Sequence, residues 1–420
     1  MYASSTRLRL ATLICAGVLF SPWPASGQED DGFPREEFVR ALTTGSVVVK
    51  RAALVKLDGY GDDPRVAEVL LEAVKKVKTS GVVSETTLEM LYVLGKHIEQ
   101  PDVPSAMWKC LGSSQPKVVM IAVDALGELG DPAALDGLIK LLESSHYHRT
   151  YGFRKCVLEA FIKIEDRRSI DTLIEQLPEL KGQLEFDVVR YLSHVSRQRF
   201  GTDSELWKTW WQDNADDFQF NETEAEFSLS DPPPQDFVWD REVSEYFGTY
   251  IYAKRLIFVL DISSSMKAAA GRGTRIQLAR EELASAIEKL PEDTYFAILL
   301  FDANIKLVNP RLIQATEATR KRIAASVRRI ETGRGTNTFG ALNKSARVDG
   351  NAEAIFFLSD GMPSKGEITD PNEILKVVAK ENFFRRISVY SYGFGMGDDG
   401  GEQFMKQLAQ QNMGVYKAIR

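Results

Sequence analysis

The sequence predicts a multidomain α + α/β protein, in which an N-terminal α-solenoid is followed by a doubly wound, mostly parallel, Rossmann-like sheet. Three observations support this prediction. An apolar helical pattern recurs at an interval of 35 residues between about residues 46 and 179. From Tyr250 onward, continuous apolar runs alternate with helical stripes, and between the two halves the composition becomes acidic and proline-containing. With 420 residues, 44% of them hydrophobic and 26% charged, the chain can form two or three folded domains.

The N-terminal half has the pattern of a helical repeat. The segment VDALGELGDPAALDGLIKLL, which begins at Val123, is matched 35 residues later by LEAFIKIEDRRSIDTLIEQL. Each copy contains an apolar-striped helix, a turn with Asp131 or Asp166, and a second striped helix. Because one helix pair cannot bury its apolar stripe alone, we expect successive pairs to stack. The pattern resembles HEAT-like repeats, with four or five units across residues 40–215.

Three tryptophans and two cysteines of this half are assigned to its core. Trp207, Trp210 and Trp211 share one helical face in the segment that closes the array. Such a stripe can stack on a sugar, but packing of a terminal capping helix is the simpler interpretation, since large aromatic side chains dominate burial. Cys110 and Cys156 lie in helix-like apolar stretches, so we expect buried free thiols there rather than a disulfide.

The N-terminus has the pattern of a secretory signal peptide over residues 1–27. Two arginines precede an apolar run, and small residues precede a cleavage point near Gly27. The apolar run is only about half of the ~20 residues that a membrane span needs. The mature protein is therefore expected to be secreted or periplasmic and to have no membrane span. The formal net charge of −7 argues against nucleic acid as the main partner.

Residues 216–248 are predicted to form an acidic linker. This segment contains Pro232, Pro233 and Pro234 and shows no sustained hydrophobic periodicity. We therefore expect few contacts to cross it, and we expect the repeat half to be separable from a second domain at residues 249–420.

The apolar runs of the C-terminal half are predicted to be strands buried on both faces of a parallel sheet. Residues 256–260, 295–301 and 355–358 lack the polar alternation of a half-exposed strand. Helical stripes separate the runs, and this alternation favours a doubly wound sheet. Ligands of such sheets bind beyond the carboxyl ends of the strands. Asp261 and Asp360 each end an apolar run, so both are expected at that edge.

Oxygen-bearing side chains near these strand ends predict a metal site. A set of two carboxylates and three hydroxyls suits Mg²⁺, or Mn²⁺, because these ions prefer oxygen ligands. Two carboxylates against one dication also leave room for a negative ligand from outside. The predicted metal ligands are Asp261, Ser263, Ser265, Thr336 and Asp360.

The order of these motifs resembles the von Willebrand factor type A family and its metal-ion-dependent adhesion site. The sequences D-I-S-S-S at 261–265, G-T-N at 335–337 and S-D-G at 359–361 follow the family's order. The resemblance implies that the hydroxyls bind the metal directly, that the aspartates bind it directly or through water, and that a partner's Asp or Glu completes the coordination. Ser264 stands where the family often has glycine. The chain also stops at GVYKAIR, without the long final helix that moves as a switch in some members.

These features predict an exported protein that binds a protein partner through Mg²⁺, in adhesion or complex assembly. The partner is expected to present an Asp, a Glu or another anion, because four cations follow or flank the motifs and would attract negative charge. These predicted rim cations are Lys267, Arg272, Arg334 and Lys365.

No enzymatic activity is expected. All four histidines lie in the repeat half and no cysteine lies beyond residue 156, so imidazole and thiol catalysis are absent from the predicted sheet domain unless the domains share a site. A haloacid-dehalogenase-type phosphatase would need a second aspartate where Ser263 stands. Metal-assisted hydrolysis and a metal that only stabilises the fold are the alternatives.

Overall fold

The computed structural model describes residues 33–220, 227–271, 273–395 and 400–419. The signal peptide predicted for residues 1–27, and Arg272 of the predicted rim, lie outside these ranges. No helix within them is both long enough and apolar enough to cross a membrane.

The N-terminal half is a stack of helices around one continuous apolar core, as the repeat pattern predicts. Short turns connect most of the helices, and successive pairs pack against one another. The helices are α1 (Arg35–Thr44), α2 (Val47–Asp58), α3 (Pro64–Lys75), α4 (Glu85–Gly95), α5 (Val103–Leu111), α6 (Pro116–Leu129), α7 (Leu135–Leu141), α8 (Ser145–Arg149), α9 (Tyr151–Lys163), α10 (Arg167–Gln176), α11 (Gln183–Ser196) and α12 (Ser204–Asn214).

Repeated aspartates define the turns between the paired helices. The carboxylates of Asp63, Asp131 and Asp166 each accept a hydrogen bond from the backbone N–H two residues later, at 2.9 Å in every case. A side chain in this position satisfies a donor that the start of a helix leaves open, and contributes about 1 kcal/mol. The three turns are therefore built in the same way, which explains why the sequence repeat includes the aspartate.

The aromatic stripe and the thiols of this half belong to its core, as predicted. Trp207 and Trp211 are buried in α12, and Trp210 packs partly buried against the same core. The Trp207 indole N–H donates to the carbonyl of Gly201 at 3.0 Å. Two buried free thiols, the cysteines of α5 and α9, confirm the cysteine prediction.

A mostly parallel sheet with helices on both faces forms the C-terminal half, so the predicted fold class is confirmed. Within the described residues the strand order is β11–β10–β9–β3–β6–β7, and β8 also pairs with β6. Only β7 and β8 run antiparallel to their neighbour in this sheet. The strands are β1 (Ser244–Tyr246), β2 (Thr249–Ile251), β3 (Arg255–Asp261), β4 (Ala269–Ala270), β5 (Gly273–Thr274), β6 (Tyr295–Phe301), β7 (Ile305–Leu307), β8 (Ile313–Gln314), β9 (Ala354–Ser359), β10 (Ser388–Phe394) and β11 (Tyr416–Ile419).

Two separate apolar cores lie on the two faces of this sheet. Strands β3, β6, β9 and β10 are buried almost throughout, as their unbroken apolar runs predict. Helices α13 (Arg275–Glu288) and α14 (Glu317–Val327) cover one face. Helices α15 (Thr338–Ser345), α16 (Pro371–Asn382) and α17 (Gly401–Gln410) cover the other.

The segment predicted as a linker packs against the repeat half. Phe227, Phe237 and Trp239 lie against the repeat core. The Arg190 guanidinium donates to the carbonyl oxygens of Ser228 at 3.0 Å and of the nearby Asp231 at 2.7 Å. The expectation of few contacts across this segment is wrong. Hydrophobic periodicity identifies helices and strands. Isolated aromatic side chains that pack individually from an irregular segment, as they do here, leave no periodic pattern in the sequence.

An acidic ladder on the repeat helices holds the C-terminal half. Its members, Asp58, Glu89, Asp124 and Glu159, lie on α2, α4, α6 and α9 and are separated by 31, 35 and 35 residues. Each pairs with a cation of α16 or of the loop that follows it. The pairs are Lys376 with Asp58 at 2.9 Å, Lys380 with Glu89 at 2.9 Å, and Arg386 with both Asp124 at 2.6 Å and Glu159 at 2.8 Å.

The deepest contacts between the halves lie at the amino ends of the sheet strands. The Lys155 ammonium is 3.0 Å from the Asp187 carboxylate and donates to the Ser388 hydroxyl, at the start of β10, at 2.8 Å. Glu353, which directly precedes β9, accepts backbone hydrogen bonds from Gln183 and Lys254 at 3.0 Å. The repeat half therefore covers the amino edge of the sheet. The carboxyl ends lie about 20 Å away, the length of a seven-residue strand.

Candidate metal centre

Strand β3 delivers Asp261 to the carboxyl edge of the sheet, where it is fully buried. One carboxylate oxygen, Oδ1, accepts the backbone N–H of Ser263 at 2.7 Å, and the other, Oδ2, accepts the hydroxyl of Ser359 at 2.6 Å. The backbone N–H of Ile262 bonds to the carbonyl of Phe301 at 2.8 Å, which continues the pairing of β3 with β6. The turn after Asp261 is thus fixed by its own carboxylate and by the neighbouring strand.

Three of the predicted ligands form a continuous chain of oxygens. The hydroxyls of Ser263 and Ser265 are 2.9 Å apart, and the Ser265 hydroxyl donates to Oδ1 of Asp360 at 2.7 Å. The chain can form because β3 and β9 are adjacent parallel strands, so their carboxyl ends meet. Side chains 95 residues apart in the sequence therefore come into contact.

The spacing of these oxygens fits a small divalent cation. Octahedral Mg²⁺ binds oxygens at 2.0–2.1 Å, which places adjacent ligands about 2.9 Å apart. The two separations in the chain are 2.9 and 2.7 Å. Among the described residues, no group of three or more His, Cys, Asp or Glu side chains is placed to hold a metal. The two serine hydroxyls and the Asp360 carboxylate are oxygen donors of the kind that Mg²⁺ accepts.

Thr336 lies in a loop that is tied to the segment after Asp360. Its side chain is buried, and its carbonyl accepts the backbone N–H groups of Ser364 at 3.0 Å and Lys365 at 3.1 Å. Its own N–H donates to the Ser364 hydroxyl at 3.1 Å. Thr336 is therefore held at the same edge through its backbone, and its hydroxyl as a metal ligand stays a prediction.

Asp302 positions this loop and was not singled out from the sequence. Its carboxylate accepts the backbone N–H groups of Asn304 at 2.6 Å and Arg334 at 3.2 Å. Its carbonyl accepts the N–H of Asn337 at 2.8 Å. A Cβ added at Gly333 would lie 1.8 Å from this carboxylate, so only glycine fits there without rearrangement. A sequence signal exists, because Asp302 directly follows β6 just as Asp360 follows β9.

Arg275, the first residue of α13, is a second neighbour that the sequence does not indicate. Its Nη1 donates to Oδ2 of Asp360 at 2.8 Å. The Asp360 side chain is fully buried, and that of Arg275 is 20% exposed. No local pattern could have revealed this pair, since 85 residues separate its members.

The pKa of Asp261 is raised to about 6, mainly because burial disfavours the charged carboxylate. Hydrogen bonds from Ser359 and Ser263 oppose this rise, and the negative charge of Asp360 adds to it. Asp360 has the Arg275 guanidinium as a counter-ion, whereas the hydrogen bonds of Asp261 come from uncharged groups. Asp261 is therefore the carboxylate of the pair that a bound cation would stabilise most.

Three of the four predicted rim cations can be placed. Lys267, Arg334 and Lys365 are exposed on loops at the carboxyl edge. Arg334 lies two residues before Thr336, and the Lys365 backbone bonds directly to Thr336. The structure thus puts these cations on the side of the sheet that carries the oxygen chain, and their role stays a prediction.

Two family models match parts of the chain. The model for the von Willebrand factor type A domain matches residues 254–418. Residues 254–418 form a von Willebrand factor type A domain. The model for the PBS lyase HEAT-like repeat matches residues 118–144, which contain α6 and α7, so both predicted resemblances are confirmed.

The vWA domain is similar in sequence to domains of much longer proteins. Human inter-alpha-trypsin inhibitor heavy chain H1 is 29% identical over 178 residues, and human heavy chain H2 is 30% identical over 177 residues. Each match covers 40% of this chain and 18% of the relative. The chain thus spans less than a fifth of the length of these relatives.

Solved structures are similar to part of the chain. A von Willebrand factor type A protein from Catenulispora acidiphila is 20% identical with a TM-score of 0.35, over 41% of this chain and 40% of that one. Proximal thread matrix protein 1 from the mussel byssus is 15% identical with a TM-score of 0.31, over 42% of this chain and 44% of that one.

Proposed function

We propose that this chain is an exported protein that binds a protein partner through a divalent cation held by its vWA domain. The vWA domain itself supports a general protein-binding role. The ion is Mg²⁺ or Mn²⁺, and its ligands are the five predicted side chains. The observation that carries the proposal is the oxygen chain Ser263–Ser265–Asp360, with separations of 2.9 and 2.7 Å. Export rests on the sequence pattern of residues 1–27.

The arrangement of the two halves supports a partner site at the carboxyl edge. The repeat half packs on the opposite, amino edge. The contacts involve Lys155 of the repeat half and Arg386 and Glu353 of the C-terminal half. The Ser265 side chain is exposed, so the oxygen chain reaches the surface. In this proposal the repeat half is a scaffold that holds the vWA domain with its metal edge facing outward.

A carboxylate is the partner group that best suits this site. A bound Mg²⁺ would supply an electrophilic centre that accepts an oxygen ligand from outside. The side chains of Ser263, Ser265 and Asp360 would be among the groups that hold the ion. The exposed Lys267, Arg334 and Lys365 would favour an anion over a neutral oxygen.

Hydrolysis is the less favoured role for the same site. The nearest titratable groups, Asp261 and Asp360, hold serine hydroxyls, and Asp360 also holds Arg275. All histidines of the chain lie at or before residue 194, in the repeat half. The occupation of both carboxylates is the reason that we favour binding over hydrolysis.

The test is a calorimetric titration of Mg²⁺ into the full chain. We expect one binding site in the wild type and loss of that site in Asp261→Ala. Asp293→Ala is the matched control, because Asp293 pairs on the surface with Lys254 at the opposite edge. Equal Mg²⁺ binding by wild type and Asp261→Ala would overturn the assignment.

A capture experiment extends the test to the partner. Proteins of the secreted or periplasmic fraction are passed over the immobilised chain in Mg²⁺ and in EDTA. We expect a partner that binds the wild type in Mg²⁺ only and does not bind Asp261→Ala. A partner captured equally well in EDTA would show that binding does not depend on the metal and would overturn the proposal.

A further inference from the structure

The two oxygens of the Asp360 carboxylate have different partners. Oδ1 accepts the Ser265 hydroxyl at 2.7 Å and so belongs to the oxygen chain. Oδ2 accepts Nη1 of Arg275 at 2.8 Å on the other side. One oxygen is thus available to a cation beside the serines, while the other is bound to a fixed positive charge.

The position of Arg275 is set by the structure around it. A capping box, in which Thr274 and Gln277 exchange hydrogen bonds, fixes the start of α13. The guanidinium lies against Gly395 at the end of β10, where an added Cβ would be 2.7 Å from Nη2. A glycine there lets the guanidinium lie between β10 and Asp360. Arg275 is therefore held in place at the carboxyl edge by its neighbours, unlike a mobile cation on the surface.

We propose that Arg275 is an internal counter-cation of the metal site, which weakens Mg²⁺ binding by the empty site and makes retention of the ion depend on an anionic ligand. This inference rests on the proposed function and deepens it. In this inference, Arg275 couples the binding of the metal to the binding of the partner.

Charge balance gives the physical reason. Asp261 and Asp360 together carry two negative charges when ionised, which would neutralise a dication completely. The buried contact of Arg275 with Asp360 adds one positive charge, so the site with Mg²⁺ has a net charge of about +1. This sum covers the two aspartates, Arg275 and the ion. Asp302, whose carboxylate accepts the uncharged backbone N–H groups of Asn304 and Arg334, is a further acidic group at the same edge. An external carboxylate offsets the positive charge that Arg275 adds, and the ion and the anion therefore bind cooperatively.

A role in positioning predicts the opposite result. If Arg275 served only to orient Asp360, as partners of metal ligands often do, its removal would weaken metal binding. If its charge opposes the metal, removal strengthens binding. The sign of the change therefore decides between the two.

The experiment is a calorimetric titration of Mg²⁺ into the full chain, with wild type, Arg275→Gln and Arg275→Lys. We expect Arg275→Gln to bind Mg²⁺ about tenfold more tightly than wild type, because a unit charge at this range is only partly screened. Arg275→Lys keeps the charge and should stay within about threefold of wild type. Lys289→Gln, which removes an exposed cation at the far end of α13, is the matched control and should have no effect.

Acetate serves as the anionic probe in a second titration. Acetate in place of chloride should tighten Mg²⁺ binding by the wild type and have less effect on Arg275→Gln. Weaker or unchanged Mg²⁺ binding by Arg275→Gln would overturn the inference while leaving the proposed function intact. Absence of Mg²⁺ binding in the wild type would overturn both. If Arg275→Gln does not fold, Arg275→Met is titrated in its place, and the same results support or overturn the inference.

Discussion

The two edges of one sheet use charge in opposite ways. At the amino edge, Lys155 pairs with Asp187 within the repeat half, and Arg386 of the C-terminal half pairs with Asp124 and Glu159 of the repeat half. At the carboxyl edge, Asp261 is buried without a cation of its own, and Arg275 offsets Asp360 alone. Glu353 at the first edge resembles Asp261, because its hydrogen bonds also come from uncharged groups. The first edge is covered by the repeat half, however, whereas the second is open at Ser265.

This difference separates a structural use of charge from a binding use. Charges that are fully paired inside a protein fix the geometry of an interface, because no other docking arrangement satisfies all of them. A carboxylate left short of positive charge raises the free energy of the empty site, so that a cation is needed to lower it. The same sheet thus has one edge suited to hold its scaffold and one suited to hold an ion.

Removal of the Arg386 charge should have the largest effect on stability. Arg386→Met would leave Glu159 and Asp124 facing each other at the buried interface, with only Lys163 near Asp124 at 3.5 Å. We expect the free energy of unfolding to fall by about 3–5 kcal/mol, the range found when one member of a buried ion pair is removed. Chemical denaturation followed by tryptophan fluorescence measures this loss.

Arg347→Met is the matched control for that variant. Arg347 pairs with Glu381 on the surface, and its side chain is 54% exposed, so we expect a change below about 0.5 kcal/mol. A similar small loss in Arg386→Met would show that the ladder does not hold the two halves together. The chain would then behave as the separable domains that its sequence suggests.

Protonation of Glu353 should make the amino edge sensitive to pH. Burial raises the pKa of Glu353 to about 7 from the usual 4.5, although the backbone N–H groups of Gln183 and Lys254 and the cations Arg255 and Lys254 oppose the rise. Between these two values the folded protein holds a proton that the unfolded chain has released. The stability contributed by Glu353 is therefore present below about pH 4.5 and is lost as the pH rises toward about 7.

The measurement is the free energy of unfolding from pH 4.5 to 7.5 for wild type and Glu353→Gln, a substitution that keeps an acceptor for both N–H groups. We expect the wild type to lose on the order of 3 kcal/mol relative to the variant across this window. The difference between the two curves cancels other groups, among them Asp261, that titrate in the same range. Parallel curves would show that Glu353 keeps an ordinary pKa in the folded protein.

Local sequence patterns predicted only some features of the two edges of the sheet. Unbroken apolar runs predict β3 and β9, and the rule that parallel strands end at one edge brings Asp261 and Asp360 together. The repeat interval likewise predicts the stacked helices and the turn aspartates. These features depend on hydrophobic patterns a few residues long or on one sequence repeat. They can therefore be recognised in a single sequence.

The contacts between the halves could not be predicted in this way. Arg386 and Glu159 are 227 residues apart, and Lys155 and Ser388 are 233 apart. The acids of the ladder recur at the repeat interval, but a polar residue at regular spacing on a helix is normally read as a solvated face. Only the docking of the C-terminal half turns that face into an interface. Arg275 escaped prediction for the same reason, since its partner Asp360 lies 85 residues away, after β9.

The smallest expected effect is that of an exposed rim cation on the affinity for Mg²⁺. It tests whether the electrostatic field differs between the two edges of the sheet. Arg334 is exposed two residues before Thr336, so its charge should repel Mg²⁺ and attract an anion. We expect Arg334→Glu to tighten Mg²⁺ binding about threefold at ~0.02 M salt and to lose this effect at ~0.5 M salt, because exposed charges are screened beyond a few ångströms at high ionic strength. Arg275→Gln should keep most of its effect at high salt, since its charge is mostly buried.

Arg311→Glu provides the matched control for the rim. Arg311 is also exposed, but it lies two residues before the strand β8, which pairs with the amino-end residues Tyr295 and Phe296 of β6. The same reversal of charge there should leave Mg²⁺ binding unchanged at both salt concentrations. If Arg311→Glu matches Arg334→Glu, the effect comes from net charge, and the rim has no special place at the metal edge. If Arg334→Glu has no effect at low salt, Arg334 does not contribute to the field at the metal edge. Any selectivity for an anionic partner must then come from the metal, from Arg275 or from the other rim cations, Lys267 and Lys365.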